Sequence, residues 1–134
     1  MGRTVLVMFP LEAGNQLLDA LDKDGFDVRA ALWLYYPESD TWRLTIASPL
    51  VDKIGPLESY KRIVSKLQGI RETLDPDANE IYMNDVTIVS PTSGLIRALG
   101  KVAHVKNGER PIRLTRSAIE NIFVDEAYIY RLLG

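Results

Sequence analysis

The most regular pattern of apolar and polar positions lies between residues 28 and 48. Two runs rich in β-branched and aromatic residues, 28–36 and 41–48, flank a polar turn at residues 37–40, and this arrangement predicts a β-hairpin. In the second run, apolar and polar residues alternate from Trp42 to Ile46, as in a strand with one buried face. The first run does not alternate, so we expect a helix, a loop or another chain to cover both of its faces.

Two segments carry the apolar spacing of amphipathic helices. Residues 14–21 have apolar positions at i, i+3, i+4 and i+7, and Gly25 follows as a stop. A longer helix is predicted from Pro56 to the Asp75-Pro76 pair. Its apolar seam consists of Leu57, Tyr60, Ile63, Val64, Leu67, Ile70 and Leu74. We expect four residues of this seam, Leu57, Tyr60, Val64 and Leu67, to pack on apolar residues of the hairpin. The predicted partners are Leu32, Leu34, Leu44 and Ile46.

The rest of the chain predicts short strands with a few helical turns. Strands are expected at residues 3–9, 86–90, 101–105, 112–116 and 127–132, and helical turns at residues 93–99. Residues 118–124 fit either a strand or a helical turn, and residues 125–126 fit a bend. The order of elements predicts a single α+β domain over residues 1–134, with a mostly antiparallel or mixed sheet and two main helices packed on one face.

Four stretches of the sequence resemble a group of short uncharacterised bacterial proteins. They read DVRAALWLY (27–35), WRLTIASP (42–49), GP (55–56) and AYIYRL (127–132). The resemblance covers most of the chain and implies a bacterial cytoplasmic protein. It implies no activity and assigns no catalytic residue.

The composition is that of a globular protein, and it excludes chemistry that depends on cysteine. Of the 134 residues, 46% are apolar and 25% are charged, and none is a cysteine. Disulfides, thiolate metal sites and cysteine nucleophiles are therefore excluded. The apolar run at residues 5–11 is too short to span a bilayer, and no small-residue cleavage site follows it. We therefore expect a cytoplasmic protein without a membrane partner.

The sequence offers little from which a catalytic or metal site can be built. His104 is the only histidine, and a single histidine in a predicted strand is most often a surface residue. Residues 75–79 begin like a calcium loop, but Glu80 stands where that loop needs glycine and Val86 where it needs glutamate. The hairpin lacks the acid and the lysine of a metal-dependent nuclease. These observations favour a protein that is not an enzyme, with no catalytic residue, metal or cofactor.

Positive charge is concentrated in residues 94–117. This segment holds six basic residues and one acid, Glu109, in a chain whose net charge is −2. The loop before it leads from a predicted strand into helical turns, and exposed N–H groups at such a junction attract anions. The candidate anion-binding residues are Ser93, Gly94, Arg97, Lys101, Arg110, Arg113 and Arg116. Alternatively, the segment is a solvated face or pairs with acidic residues elsewhere in the fold.

Aromatic residues of the hairpin are candidates for a protein interface. They are Trp33, Tyr35, Tyr36 and Trp42. Aromatic side chains are enriched at interface centres, although a stripe of them is more often part of a core. We expect a non-enzymatic binding or assembly module that acts through protein–protein contact, either by self-association as a homodimer or with another protein. The alternative is binding of an anion, a nucleotide or a nucleic acid by residues 94–117.

Overall fold

A five-stranded sheet with helices on both faces forms the described part of the protein. The computed structural model describes residues 9–74 and 80–133. Its main elements are α1 (Leu11–Lys23), β1 (Ala30–Tyr36), β2 (Thr41–Ala47), α2 (Leu50–Thr73), β3 (Val86–Val89), α3 (Gly94–Leu99), β4 (Ile112–Ile119) and β5 (Ile122–Leu132). The strand order is β3-β2-β1-β5-β4, in which β2 and β3 are parallel and the other neighbours are antiparallel. The predicted α+β fold with a mostly antiparallel sheet is confirmed.

Strand β1 is buried on both faces, as its lack of alternation predicts. Ala31 and Trp33 belong to the core layer that the sheet shares with α1 and α2. Leu32 and Leu34 belong to a second layer on the opposite face, which α3 and part of β5 also line. The two main helices therefore pack on one face, and helix α3 covers the other.

Helix α2 begins at Leu50 rather than at Pro56. Its first, short segment ends at Gly55, where a φ of 86° and a ψ of 163° interrupt the helix. Glycine adopts this positive φ without steric cost, and Pro56 can then start the second segment because an N–H is not needed in the first turn. The predicted apolar seam is wrong at Leu57, which is 66% exposed.

The second segment of α2 packs on only half of the predicted partners. Its buried residues are Ser59, Ile63, Leu67 and Ile70. Leu67 shares its core layer with Leu44 and Ile46 of β2, which confirms part of the expected packing. Leu32 and Leu34 lie in the opposite layer, so the other part is wrong. Successive residues of a strand face opposite sides of the sheet, so Trp33, between these two leucines, is the residue that faces the α1 and α2 layer.

A β-bulge in β5 turns two consecutive side chains, Tyr130 and Arg131, toward α1. The bulge appears as a shift of register in the pairing of β5 with β1. Tyr130 Oη donates to the carbonyl oxygen of Leu11, at the start of α1, at 2.8 Å. Arg131 Nη1 and Nη2 donate to the two carboxylate oxygens of Asp22, near the end of α1, at 2.8 and 2.7 Å. The bulge therefore fixes α1 at both ends.

The β4–β5 hairpin changes the side of the sheet that its apolar residues face. Leu114 and Ile119 both pack in the α3 layer, although they are an odd number of positions apart on one strand. Arg116 lies between them with a φ of 45°, and it has no partner in the strand pairing. On β5, Val124 and Ala127 show the same change, since both also lie in the α3 layer. The alternation of both strands thus shifts by one residue at Arg116.

The β4–β5 hairpin contains residues 118–124, for which the sequence allowed either a strand or a helical turn. Residues 118–124 are the ends of two strands joined by a turn at residues 120–121. The predicted strands at 112–116 and 127–132 are parts of the longer β4 and β5. The predicted bend at residues 125–126 is wrong, because these residues lie within β5. They do coincide with the shift of alternation described above.

One further predicted strand is wrong, and two predicted features fall outside the described residues. Residues 101–105 form a turn followed by a single bridge between Val105 and Leu132. Apart from its last residue, the strand predicted at residues 3–9 lies outside the described part of the chain, as does the calcium-like segment at residues 75–79.

Candidate functional site

A groove of about 310 Å³ lies where the end of β1 meets the start of β5. These two strand ends lie side by side because the strands are antiparallel neighbours, with Tyr35 opposite Glu126. The turn after β1 and one residue of α3 complete the walls. The lining residues are Leu34, Tyr35, Tyr36, Pro37, Glu38, Leu95, Ile122, Phe123, Val124 and Asp125. Most of these side chains are apolar.

Two aromatic side chains of this groove are exposed. Phe123 is 64% exposed and Tyr36 is 39% exposed, whereas the lining residues Leu34 and Val124 are buried. The residue opposite Phe123 on β4 is Ala118, whose methyl group offers little surface to cover an aromatic ring. The free energy falls when another molecule covers apolar surface and removes it from water. The groove is therefore a surface at which contact is favourable.

One wall of the groove is acidic. Tyr35 Oη donates a hydrogen bond to Asp40 Oδ1 at 2.6 Å. The pKa of Tyr35 lies above its ordinary value, mainly because of this hydrogen bond, then because of burial, and further because of the charges of Asp40, Asp125 and Glu126. These three carboxylates therefore lie close enough to act on one hydroxyl group. Two carboxylates, those of Glu38 and Asp125, line the groove itself.

Two of the four predicted interface residues, Trp33 and Trp42, lie in the core of the protein. Trp33 has no exposed surface, and Trp42 is buried as well. Both rings pack on the ring of Phe9, with centroid distances of 5.4 and 4.7 Å. Only Tyr35 and Tyr36 of the predicted set line the groove.

Sequence reasoning misses three apolar residues of the groove, namely Leu95, Ile122 and Phe123. The sequence feature that could have predicted an exposed residue here is the apolar run from Ile122 to Val124. Three consecutive apolar residues in a strand cannot all face the same core layer, so one of them has to face away. In this fold that residue is Phe123.

A second pocket, the α3 pocket, has a volume of about 420 Å³ and brings together two predicted anion-binding residues, Arg97 and Lys101. Thr92 and His104 also line it. Lys101 Nζ forms an ion pair with Glu120. Arg97 takes part in none of the ion pairs found within residues 9–74 and 80–133. The α3 pocket thus has one arginine whose charge is not compensated by a described carboxylate.

Ser93 and Gly94, also predicted to bind anions, belong to the start of α3. The Ser93 hydroxyl oxygen accepts a hydrogen bond from the N–H of Ile96 at 3.4 Å, which is the contact of an N-cap residue. Gly94 is the first residue of this six-residue helix. These two residues therefore stabilise the helix end and do not line the α3 pocket.

The remaining predicted anion-binding residues, Arg110, Arg113 and Arg116, lie away from the α3 pocket. Arg113 pairs with Glu126 at 3.3 Å, and its guanidinium carbon lies 6.0 Å from the centroid of the Tyr128 ring. Tyr128 packs in the layer of α1 and α2, so the sheet separates Arg113 from α3. Arg110 lies in the loop before β4, and Arg116 lies at the irregular point of β4. The basic segment therefore does not form one surface.

The fold and the groove define the class of this protein as an α+β domain with a mixed sheet and an apolar surface groove. Comparison with protein-family models, with curated proteins and with solved structures gives no match for this chain. Within residues 9–74 and 80–133, no three histidine, aspartate or glutamate side chains are grouped so that they could hold a metal ion. No helix in those residues is long and apolar enough to cross a bilayer.

Proposed function

We propose that the protein is a non-enzymatic binding module of the bacterial cytoplasm that acts through protein–protein contact at the groove. The observation that carries this proposal is the pair of exposed rings, Phe123 and Tyr36, beside an apolar cleft. When a partner covers aromatic side chains in such positions, they contribute a large share of the free energy of binding.

The size of the groove suits the side chains of a polypeptide. Its volume of about 310 Å³ is at the lower end of the range of small-molecule pockets, roughly 300 to 1,000 Å³. A polypeptide segment can place one or two apolar side chains in such a space while its backbone stays outside. The occupant is a segment of another protein, since a two-fold axis at the groove would bring two copies of the acidic wall close together.

The Phe123→Ser substitution should remove binding without unfolding the protein, because the ring is 64% exposed. Random dodecapeptides displayed on phage can be selected against the immobilised protein. We expect the selected peptides to bind the Phe123→Ser variant at least about tenfold more weakly, as measured by calorimetry with synthetic peptides. The matched control is Leu57→Ser, because Leu57 is 66% exposed but lies on α2, outside the groove.

Selected peptides that bind the Phe123→Ser and Leu57→Ser variants with equal affinity would contradict the proposal. Light scattering of the free protein tests self-association in the same samples. A dimer that the Phe123→Ser substitution dissociates would identify a second copy as the occupant.

Anion binding at the α3 pocket is a second candidate function, favoured by the placement of Arg97, Lys101 and His104 around one pocket. A phosphate group there would approach the uncompensated arginine, the lysine and the hydroxyl group of Thr92. The ligand class includes small phosphate-bearing molecules, nucleotides and nucleic acid. In this function, only the part of the basic segment that lines the pocket takes part.

The Arg97→Glu substitution should abolish binding of a short single-stranded DNA at about 50 mM salt, where electrostatic attraction is only weakly screened. Affinity for the unmodified protein should fall steeply as salt is added. The control is Arg110→Glu, which makes the same change of charge in the basic segment but outside the pocket. Fluorescence anisotropy of labelled DNA measures both variants. Equal losses in the two variants, or no binding by the unmodified protein, would exclude this function.

A further inference from the structure

We infer that the groove receives a segment in which apolar side chains alternate with lysine or arginine. This inference rests on the proposed function and specifies the chemistry of the partner. The juxtaposition that carries it is an apolar cleft beside carboxylates that have no cationic partner within the described part of the chain.

Three carboxylates at or beside the groove are uncompensated. Glu38 and Asp125 line it, and the hydroxyl group of Tyr35, another lining residue, holds the carboxylate of Asp40 at 2.6 Å. None of the ion pairs among residues 9–74 and 80–133 includes any of these three carboxylates. The negative potential of this wall is therefore available to a partner.

Arg113 forms no ion pair with the carboxylates that line the groove. Arg113 is paired with Glu126 at 3.3 Å and lies beside the ring of Tyr128. The charges of Asp40, Asp125 and Glu126 together still raise the pKa of Tyr35, after its hydrogen bond and its burial. These carboxylates therefore act on the hydroxyl group of Tyr35, a residue that lines the groove.

A segment that carries both apolar and positively charged side chains complements the apolar cleft and the acidic wall of the groove. Its apolar side chains cover the rings of Phe123 and Tyr36, and its cations approach Glu38 and Asp125. A lysine or arginine can also lie over the face of an exposed aromatic ring, which adds a favourable cation–π contact. A two-fold symmetric dimer with its axis at the groove would instead bring the two acidic walls close together, which is unfavourable.

Two blocked heptapeptides test the inference. Both carry leucine at positions 2, 4 and 6, and the other four positions are lysine in one peptide and glutamate in the other. At about 50 mM salt we expect the lysine peptide to bind at least about tenfold more tightly, and the difference should shrink at about 1 M salt, where charges are screened within about 3 Å. The shifts of amide resonances in NMR spectra should be confined to the groove.

Charge reversal shows whether the acidic wall causes the preference. The double variant Glu38→Lys, Asp125→Lys should lose the preference for the lysine peptide or prefer the glutamate peptide. The control is the double variant Glu12→Lys, Glu72→Lys, which changes the net charge equally at exposed positions on α1 and α2. The control should keep the preference.

The outcomes separate this inference from the proposed function. Equal affinity for both peptides, with binding that Phe123→Ser abolishes, would overturn the inference and leave the groove as a binding site. Binding that Phe123→Ser leaves unchanged would overturn both. Loss of preference in the control double variant would also overturn the inference, because net charge and not the wall would then cause it.

Discussion

We expect the Asp22→Ala variant to lose about 3 kcal/mol of unfolding free energy. The side chain of Arg131 is only 8% exposed, and Asp22 is its one carboxylate partner within the described residues. Removing the carboxylate leaves a buried guanidinium group whose charge is no longer compensated, since its only other acceptor among residues 9–74 and 80–133 is the carbonyl oxygen of Val28. The loss lies at the lower end of the range for buried pairs because the side chain of Asp22 is 39% exposed, so water can replace part of the contact.

Urea unfolding of three variants checks this expectation. The Asp19→Ala variant removes a carboxylate of the same helix whose pair with Lys23 is exposed, so it should change the stability by less than about 1 kcal/mol. The double variant Asp22→Leu, Arg131→Met should be more stable than Asp22→Ala, because neither charge then remains buried. Equal stabilities of Asp22→Ala and Asp19→Ala would show that Arg131 needs no counter-ion.

The Gly14→Ala substitution should lower the unfolding free energy by about 2 kcal/mol, although alanine favours a helix over glycine by about 1 kcal/mol. A Cβ atom at Gly14 would lie 2.7 Å from Tyr130 Cζ and closer still to its hydroxyl oxygen. The ring cannot easily move away, because its hydroxyl group donates to the carbonyl of Leu11 and accepts from Trp33 Nε1, each at 2.8 Å. The substitution therefore disturbs both hydrogen bonds or displaces α1.

The control for this steric effect is Gly69→Ala on α2. A Cβ atom at Gly69 meets nothing within 4 Å, so the helical preference of alanine should raise the stability by about 0.5 to 1 kcal/mol. Thermal unfolding followed by circular dichroism compares the two variants. If Gly14→Ala stabilises the protein as Gly69→Ala does, the close approach between α1 and Tyr130 is not real.

Periodicity predicts those parts of the fold in which apolar residues repeat without interruption. The spacing of Leu17 and Leu21 places α1 correctly, because both side chains face the same core layer. The alternation from Trp42 to Ile46 places β2 for the same reason. The unbroken apolar run of β1 correctly predicts that both of its faces are covered.

Backbone irregularities account for most of what the sequence pattern does not predict. Leu57 follows the break at Gly55 and is exposed, although the predicted seam includes it. The positive φ of Arg116 shifts the alternation of two strands, so neither strand shows a continuous period. Such points depend on single dihedral angles, which a pattern of apolar positions does not encode.

The candidate groove could be predicted only in part, because it depends on which strands are neighbours. Tyr36 and Phe123 lie far apart in the sequence and line the same groove only because β1 pairs with β5. Tyr36 and Trp33 are both aromatic residues of the predicted interface, but Trp33 lies in the core. Which aromatic residue faces outward is decided by tertiary packing.

The position of β5 along the chain has a consequence for synthesis on the ribosome. Strand β1 lies between β2 and β5 in the sheet, and β5 is the last of the five strands to be synthesised. The hydrogen bond between Trp33 and Tyr130 spans 97 positions of sequence, and contacts of such separation form slowly because a long loop must close first. Until residues 122–132 emerge, the nascent chain exposes the unpaired edge of β1, which is its most apolar strand. A chaperone that shields this edge would act on the chain just before the groove first exists.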